Sequence, residues 1–293
     1  ICSGEETTES RLIALAAWMR ENYGSTMIQA LRTVLPIQEK IKAKEKKYIC
    51  LDISEEAGTQ LLKELEQTRF KARTRLLREL LEKKRLDYTH AAKELGTTSA
   101  VVKKFQEQGI IRIEYDEIMR TSLNTGDISG ERRMPLTDEQ EAAVKQIQRE
   151  WKNPSPKPVL IEGVTGSGKT QVYIKLIEQT LSQGKEAIVL IPEIALTYQT
   201  VRRFYARFGD KVSVINSRQS QGERYDQFKR AKKGEVQVMI GPRSALFTPF
   251  ASLGLIIIDE EHEPSYKSES TPRYHARETA IRRAVLEHAN VII

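Results

Sequence analysis

The chain has 293 residues, of which 39% are hydrophobic and 30% are charged. This hydrophobic fraction can build packed cores, so disordered and fibrous classes are excluded, and at roughly 150 residues per domain the length indicates two domains. The net charge of +7 permits a polyanionic partner without requiring one. Two cysteines, Cys2 and Cys50, are too few for a disulfide framework or a zinc site, which favours a reducing compartment. No apolar run approaches the roughly 18 residues of a membrane span, and no signal-peptide pattern opens the chain, so we expect neither secretion nor a membrane partner.

The first 120 residues carry mostly helical patterns. Apolar side chains recur at helical spacing over residues 12–19, 61–65 and 76–81. The remaining pattern predicts a strand, a short helix, a longer helix and a strand, over residues 48–53, 89–95, 98–108 and 110–115. Residues 121–135 have no period and contain Gly126, Gly130 and Pro135, which predicts a linker.

The pattern changes beyond residue 135. Short apolar runs rich in β-branched residues mostly alternate with helical patterns, and these runs fall at residues 159–161, 187–191, 212–215, 236–240, 255–258 and 291–293. Near-continuous apolar strands separated by helices are typical of a parallel sheet that is covered on both faces. The second half is therefore predicted to be a doubly wound α/β domain.

One glycine-rich segment of this domain fits the GxxxxGK[ST] pattern in full, between a predicted strand and a predicted helix. Its residues are Gly163, Val164, Thr165, Gly166, Ser167, Gly168, Lys169 and Thr170. Glycines let backbone N–H groups approach a phosphate closely, and the start of the next helix adds partial positive charge. The Lys169 ammonium suits the β- and γ-phosphates of a nucleotide, and the Thr170 hydroxyl suits Mg²⁺. The alternative is a plain glycine-rich turn, and the flanking strand and helix argue against it.

An acid pair follows the predicted strand at residues 255–258. It places Asp259 at the carboxyl end of a buried strand, where open α/β sheets bind ligands. We expect Asp259 to hold Mg²⁺, mostly through water, and Glu260 to act as the general base toward the attacking water. An acid pair that caps a helix is the alternative. With the phosphate loop upstream, nucleotide hydrolysis by Lys169, Asp259 and Glu260 is the favoured interpretation.

A possible base-reading residue precedes the phosphate loop. The amide of Gln140 offers both a donor and an acceptor, as an adenine edge requires. The same residues also form an ordinary helix start, with Thr137 as the N-cap and Gln140 completing a capping box. The residues alone favour neither interpretation.

Five segments together resemble the ordered motifs of the first lobe of superfamily 2 DNA helicases. They are residues 136–140, 163–170, 191–197, 240–247 and 259–262. More narrowly, residues 192–197 and Asp259-Glu-Glu-His262, followed by residues 265–267 and 273–277, resemble the bacterial primosomal replication-restart helicases. The resemblance covers nearly the whole chain and is most specific over residues 136–278. It implies a RecA-like lobe that uses ATP and Mg²⁺ in a 3′→5′ DNA helicase.

The resemblance also implies roles for single residues. Gln140 would read the adenine, and His262 would couple the ATP site to DNA, although the residue alone favours a helix-start histidine with satisfied hydrogen bonds. An aromatic-rich loop would sense single-stranded DNA through Tyr266, Lys267, Tyr274, His275 and Arg277. Aromatic rings stack on any base and interleaved cations meet phosphates. Composition alone allows an exposed loop as well.

A further motif is expected to grip the DNA backbone. Arg243 and Ser244 match this motif of the helicase family. Pro242 stands where the family motif has Thr, so one hydrogen-bonding group is absent there and the expected DNA contact is weaker.

The first half fits the winged-helix domain that this family carries before its helicase lobes. Residues 69–104 hold 11 basic and 4 acidic side chains. Lys103 and Lys104 fall on the second helix of the predicted helix-turn-helix, which is the usual groove-facing element. A solvated charged face is the alternative for these lysines. Residues 11–36 resemble the tail of the family's 3′-DNA-end-binding domain.

The expected division of the chain has four parts. In order they are the end of a 3′-DNA-end-binding domain, a winged-helix domain, a linker and the ATP-binding lobe, at residues 1–36, 37–120, 121–134 and 135–293. A start at Ile1 and a stop at Ile293 directly after an apolar run are typical of a fragment. The resemblance implies a second lobe outside it, with zinc-binding cysteines and an arginine finger worth about three to five decades of rate. We therefore expect this fragment to bind ATP–Mg²⁺ and DNA but to hydrolyse ATP poorly.

The resemblance finally implies partners and a location. We expect forked and single-stranded DNA, primosome and replication proteins, a monomeric state, and a bacterial cytoplasm with nucleoid association. One alternative is another fork-acting superfamily 2 motor of the RecG type, against which the loop at residues 266–277 argues. The other is a nucleotide-sensing winged-helix DNA-binding regulator, against which the intact Lys169 and Glu260 argue.

Overall fold

The computed structural model describes residues 7–35, 44–67, 71–118, 135–164 and 166–293. The chain divides into two compact units, Lys42–Arg120 and Ile1–Ile41 together with Thr121–Ile293. Within the described ranges, no helix is long and apolar enough to cross a bilayer. The expected linker at residues 121–134 lies outside the described residues.

The elements are numbered in chain order. The helices are α1 (Thr8–Tyr23), α2 (Met27–Val34), α3 (Glu55–Glu66), α4 (Lys71–Lys83), α5 (Tyr88–Lys93), α6 (Ser99–Glu107), α7 (Asp138–Glu150), α8 (Lys169–Ser182), α9 (Tyr198–Phe208), α10 (Gln221–Lys232) and α11 (Ala276–Glu287). The strands are β1 (Lys44–Leu51), β2 (Arg85–Asp87), β3 (Ile111–Ile118), β4 (Glu186–Leu190), β5 (Val212–Val214), β6 (Val238–Gly241), β7 (Leu253–Ile258) and β8 (Asn290–Ile292).

The smaller unit is an antiparallel sheet of order β2-β1-β3 with helices α3 to α6. Its core forms where Leu76, Leu77 and Leu80 of α4 meet Phe105 of α6, all of them buried. Side chains three and four positions apart share one face of a helix, so this spacing turns a single leucine face of α4 inward. The order α4, α5, α6, β3 agrees with the predicted order of helices and strand, and strand β2 between α4 and α5 was not predicted.

The larger unit contains a parallel sheet of order β5-β6-β4-β7-β8. All residues of β4, β6 and β7 are buried, as expected for strands covered on both faces. Successive residues of β4 point into opposite cores, because side chains alternate along a strand: Ala187 packs on the side of α7, α8 and α9, and Ile188 on the side of α10 and α11. The predicted doubly wound α/β fold is confirmed.

The first two helices pack into this larger unit. Leu12, Leu15 and Met19 of α1 are buried in the same core as α11, and α2 adds Ala30 and Val34. Residues 7–35 thus cover one face of the sheet together with α11. Their expected membership of a 3′-DNA-end-binding domain stays a prediction.

The segment before the phosphate loop lies along β8 but forms no regular strand. The Val159 N–H donates to the Val291 carbonyl at 3.0 Å, and the Ile161 N–H donates to the Ile293 carbonyl at 2.8 Å. The predicted strand at residues 159–161 is reduced to an isolated bridge between Val159 and Ile292. Proline lacks the N–H that a strand ladder needs, and Pro156 and Pro158 stand directly before it.

Candidate functional site

The phosphate loop joins the edge segment at residue 161 to the start of α8. Gly166 and Gly168 adopt positive φ angles of 87° and 85°, which disfavour any residue with a Cβ. A Cβ at position 168 would also lie 2.3 Å from Nε2 of Gln140. Both glycines therefore meet a conformational requirement, and Gly168 meets a steric one as well. Thr165, predicted to bind nucleotide, lies outside the described residues.

Lys169 and Glu260 meet in space. Lys169 opens α8, and Glu260 follows β7 at the carboxyl end of the sheet. The Lys169 ammonium donates to the Gly163 carbonyl at 2.6 Å and lies 3.4 Å from Oε1 of Glu260. Both side chains are partly buried, with exposed fractions of 19% and 30%, so water screens this pair less than a surface pair.

Asp259 is the most desolvated acid at this edge. Its Oδ1 accepts a 3.2 Å hydrogen bond from the Tyr173 hydroxyl, and its backbone carbonyl accepts a 2.7 Å hydrogen bond from the Tyr266 hydroxyl. Burial raises the pKa of the Asp259 carboxyl; the hydrogen bond from Tyr173 opposes this shift, and the charge of Glu260 adds to it. A buried carboxylate that lacks a full counter-charge favours a cation beside it.

Glu260 occupies a backbone conformation that is uncommon for a residue with a side chain. Its φ angle is +49°, in the left-handed region. Such outliers persist only where the surrounding structure holds them, and they cluster at functional sites. Oε2 of Glu260 also lies 3.7 Å from Nε2 of His262, whose side chain is 70% exposed. The contact places His262 next to the candidate base.

Gln140 forms the expected capping box and also contacts the phosphate loop. The Thr137 N–H donates to its Oε1 at 3.1 Å and its own N–H donates to the Thr137 hydroxyl at 3.3 Å, so the predicted capping box is confirmed. Its Nε2 donates to the Ser167 carbonyl at 3.2 Å. The helix start is thereby tied to the phosphate loop, and the adenine contact stays a prediction.

The donor set at this edge fits a nucleoside triphosphate with Mg²⁺. The loop offers glycine-lined backbone, the Lys169 cation and the Thr170 hydroxyl, and the opposing strand offers two carboxylates. Among the residues that the structure describes, no cluster of three or more His, Cys, Asp or Glu side chains could hold a metal by itself. Mg²⁺ usually takes one or two carboxylates and completes its shell with water and substrate phosphates.

The two rings expected to stack on DNA are not available for stacking. Tyr266 and Tyr274 are 1% and 4% exposed, and Tyr274 packs edge-on against Phe247 at 5.4 Å between ring centroids. Burial raises the pKa of both hydroxyls. The polar residues around them suggested an exposed loop, whereas the rings fill the core beside α11. The stacking role expected for these two rings is therefore wrong in this conformation.

The other residues of this loop form a bonded network near the acids. His275 caps α11 by accepting from the Arg277 N–H at 3.2 Å. Arg277 donates to Oε2 of Glu261 at 2.9 Å. Arg243 donates to the Ser265 and Lys267 carbonyls at 2.6 and 3.1 Å, so its guanidinium is used within the protein. The neighbouring Ser244 is half-buried on the same 3₁₀ turn.

Helix α6 of the smaller unit presents its two predicted DNA-contacting lysines to solvent. Lys103 and Lys104 are exposed, while Val102 and Phe105 of the same helix are buried. The ammonium of Lys103 lies 3.9 Å from Glu107 one turn later. The face is thus charged and accessible, as both interpretations of these lysines require.

Sequence reasoning missed three residues at or near the site. Tyr173 lies one helical turn after Lys169, so helical spacing could have placed its hydroxyl on the face that meets Asp259. Glu261 binds Arg277, and Tyr23 of α1 contacts Glu278. The contacts of Glu261 and Tyr23 join segments far apart in the chain, and no spacing pattern reveals them.

Comparisons with known proteins agree with this site. Residues 133–291, more than half of the chain, match the family described as Type III restriction enzyme, res subunit. The replication restart protein PriA of Bacillus subtilis (strain 168) is 46% identical over 201 residues, which are 69% of this chain and 25% of that protein. The PriA protein of Chlamydia muridarum (strain MoPn / Nigg) is 34% identical over 297 residues, 98% of this chain and 38% of that protein.

The chain spans well under half the length of these curated relatives. A solved structure of RecG bound to a three-way DNA junction is 24% identical over 55% of this chain and 24% of that one, and its TM-score of 0.40 is too low to carry an argument. The expected similarity to replication-restart proteins is confirmed by the PriA matches. With its phosphate loop, its acid pair and the matched residues 133–291, the chain belongs to the family described as Type III restriction enzyme, res subunit.

Proposed function

We propose that residues 135–293 form the ATP-binding lobe of a DNA-dependent ATPase that works as a 3′→5′ DNA helicase in replication restart. The observation that carries the proposal is the 3.4 Å approach of Lys169 to Glu260. It brings the phosphate-binding cation and the candidate base together from two separate elements at the ligand-binding edge of the sheet. The similarity to PriA supports the biological role.

ATP is the substrate in this proposal. The phosphate loop, residues 163–170, binds its phosphates, with Lys169 opposite the β- and γ-phosphates, and Gln140 contacts its adenine. Thr170 and Asp259 hold Mg²⁺, which when bound neutralises charge on the phosphate oxygens. Glu260 orients the attacking water and accepts its proton. Lys169, which now donates to Gly163, would exchange that carbonyl for phosphate oxygens.

DNA is the proposed partner. The winged-helix unit offers Lys103 and Lys104 on an exposed helix face. In the larger unit Lys267 is exposed and His262 lies beside Glu260, which makes them candidates for DNA contact and for coupling. The grip of Arg243 and Ser244 on the DNA backbone and the DNA-sensing role of His275 and Arg277 stay part of the proposal. The finer points stay part of the proposal: forked and single-stranded DNA, primosome proteins, a monomeric state, and a cytoplasmic, nucleoid-associated place.

A strand-separation assay tests this function. The product of the whole open reading frame is mixed with ATP–Mg²⁺ and with duplexes that carry either a 3′ or a 5′ single-stranded tail. We expect strand separation with the 3′-tailed duplex, and none when ATP is replaced by ADP. Equal separation of both duplexes would contradict the direction. No separation of either, with ATP bound, would favour the nucleotide-sensing regulator instead.

A further inference from the structure

Tyr23 ends helix α1 and lies against the loop that follows the acid pair. Its hydroxyl donates to Oε2 of Glu278 at 3.0 Å, and its ring lies 5.4 Å from the ammonium of Lys267. Trp18, five residues earlier on α1, packs edge-on against the Tyr23 ring at 5.6 Å between centroids. Trp18 therefore supports the Tyr23 ring from the same helix. Tyr23 in turn contacts Lys267 near the start of the loop and Glu278 just beyond its end, in the first turn of α11.

Helix α1 is a firm support for this contact. One side of the helix is buried in the core through Leu12, Leu15 and Met19. Arg11 also donates to Oε2 of Glu287 at 3.0 Å, and the Glu287 side chain is fully buried. Because helix α1 is fixed in the core, Tyr23 at its end restrains the residues that it contacts, Lys267 and Glu278.

The loop that Tyr23 restrains is tied on its other side to the candidate catalytic acids. Arg277 and Glu278 are consecutive in the first turn of α11. Arg277 donates to Glu261, the neighbour of Glu260, and Glu278 accepts from Tyr23. Lys267 is also held twice, since its carbonyl accepts from Arg243 and its ammonium faces the Tyr23 ring.

A second bond joins the loop directly to the metal-binding candidate. The Tyr266 hydroxyl donates to the Asp259 carbonyl at 2.7 Å. The residue before Lys267 thus contacts the acid pair while Lys267 itself contacts Tyr23. Unbroken contacts therefore run from α1 through the loop to Asp259 and Glu261, a distance in sequence of more than 200 residues.

We propose that Tyr23 is a positioning residue that sets how strongly DNA controls ATP turnover, by fixing the segment Lys267–Glu278 against helix α1. The inference rests on the proposed DNA-dependent ATPase. Control by DNA requires two states of the protein that differ in turnover. A restraint that is stronger in one state than in the other contributes to their difference, so its removal brings the two turnover rates closer together.

The test is a double-mutant cycle in the product of the whole open reading frame. ATP turnover is measured without DNA and with saturating forked DNA for the wild type, Tyr23→Phe, Glu278→Ala and the double variant, because alanine, unlike glutamine, offers no acceptor to the Tyr23 hydroxyl. The ratio of the two rates should fall about threefold in each single variant, the lower end of the net contribution of one hydrogen bond, because this bond is exposed to solvent. The double variant should match the singles, because all three lack the same bond. The KM for ATP should stay within about twofold.

Arg20→Ala is the matched control, since Arg20 lies in the last turn of α1, is exposed and binds Glu21 at 3.2 Å. It should keep the wild-type ratio. An unchanged ratio in Tyr23→Phe, or single effects that multiply in the double variant, would overturn the inference. A wild type whose turnover ignores DNA would overturn the proposed function, and the inference with it. Thermal unfolding of each variant separates a loss of folding from a loss of control.

Discussion

The ammonium of Lys169 lies 3.4 Å from the carboxylate of Glu260, although 90 residues of sequence separate them. Lys169 begins α8 directly after the phosphate loop, and Glu260 follows strand β7 with a positive φ angle. The pair defines where the terminal phosphate of a nucleotide would lie. A carboxylate in that position is suited to the attacking water.

Glu260→Gln removes the proposed base and keeps its size. We expect ATP turnover to fall about a hundredfold or more, because general-base catalysis contributes on that scale. Binding of ATP–Mg²⁺ should stay within about threefold, since the phosphate loop is intact. Steady-state turnover and equilibrium binding of a fluorescent ATP analogue measure the two effects. Loss of binding without loss of turnover per bound nucleotide would contradict the assigned role.

Gly168→Ala tests the tight approach of the phosphate loop to Gln140. The new Cβ would meet Gln140 Nε2 at 2.3 Å, and the φ angle of +85° is unfavourable for alanine. We expect affinity for ATP to fall about tenfold, since either the loop or the amide must shift. Equilibrium binding of the fluorescent analogue by the 293-residue chain measures it.

Gly184→Ala is the control at the other end of the same helix. Gly184 has a φ angle of +73°, and a Cβ there would meet nothing within 4 Å. Both substitutions should lower the free energy of unfolding by about 1 kcal/mol through the left-handed conformation. Only Gly168→Ala should weaken ATP binding. Equal binding by the two variants would remove the argument for a steric role of Gly168.

The sequence predicted the features that depend on residues close together in the chain. The phosphate loop needs positive φ angles and close backbone approach, which glycine allows best. The roles of Gly166 and Gly168 could therefore be predicted from the sequence. The buried strands could be predicted because nearly all of their residues are apolar, with Glu186 of β4 and Ser213 of β5 as exceptions. The acid pair was placed by its position after such a strand.

The parts that sequence did not predict depend on packing between distant segments. Tyr266 and Tyr274 sit among serines, threonines and charged residues, and their burial follows from a fold of the loop onto Phe247 and α11. The contact of Tyr23 with Glu278 joins residues 255 positions apart. The cover that α1 gives to one face of the sheet likewise has no local signature.

Glu287→Gln tests the buried ion pair on α11, whose carboxylate also accepts from Arg11 of α1. Arg283 and Glu287 are 1% and 0% exposed and lie 3.3 Å apart, and Arg283 also donates to the Thr248 carbonyl at 2.7 Å. Loss of the carboxylate leaves a buried guanidinium with less compensation, and we expect a loss of about 3 kcal/mol in the free energy of unfolding. Urea titration by tryptophan fluorescence measures it, since Trp18 and Trp151 both lie in the larger unit.

Glu9→Gln is the matched control for this prediction. Glu9 binds Lys232 at 2.5 Å, but both side chains are more than half exposed. Exposed ion pairs contribute little, so its unfolding free energy should stay within about 1 kcal/mol of the wild type. Similar losses in the two variants would show that burial does not distinguish these pairs.

Lys103→Ala and Lys104→Ala test DNA contact by helix α6. Each lysine that meets a phosphate releases about one counterion, so each variant should lower the slope of log affinity against log salt by about 1. Fluorescence anisotropy with a forked DNA at several salt concentrations measures the slope. Lys63→Ala on α3, also exposed, should leave it unchanged. If Lys63→Ala lowers the slope as much, the contact is a general effect of charge.

The site around Lys169 and Glu260 is proposed to drive ATP turnover under the control of DNA. The most direct measurement is the ATP turnover rate of the whole open reading frame product, with and without forked DNA, beside that of the 293-residue chain. We expect DNA to raise the rate of the whole product at least tenfold, the scale of about 1.4 kcal/mol in the barrier. The rate of Glu260→Gln should be about a hundredfold or more below the wild-type rate in both conditions. A rate that ignores DNA, although ATP and DNA are both bound, would contradict the claim.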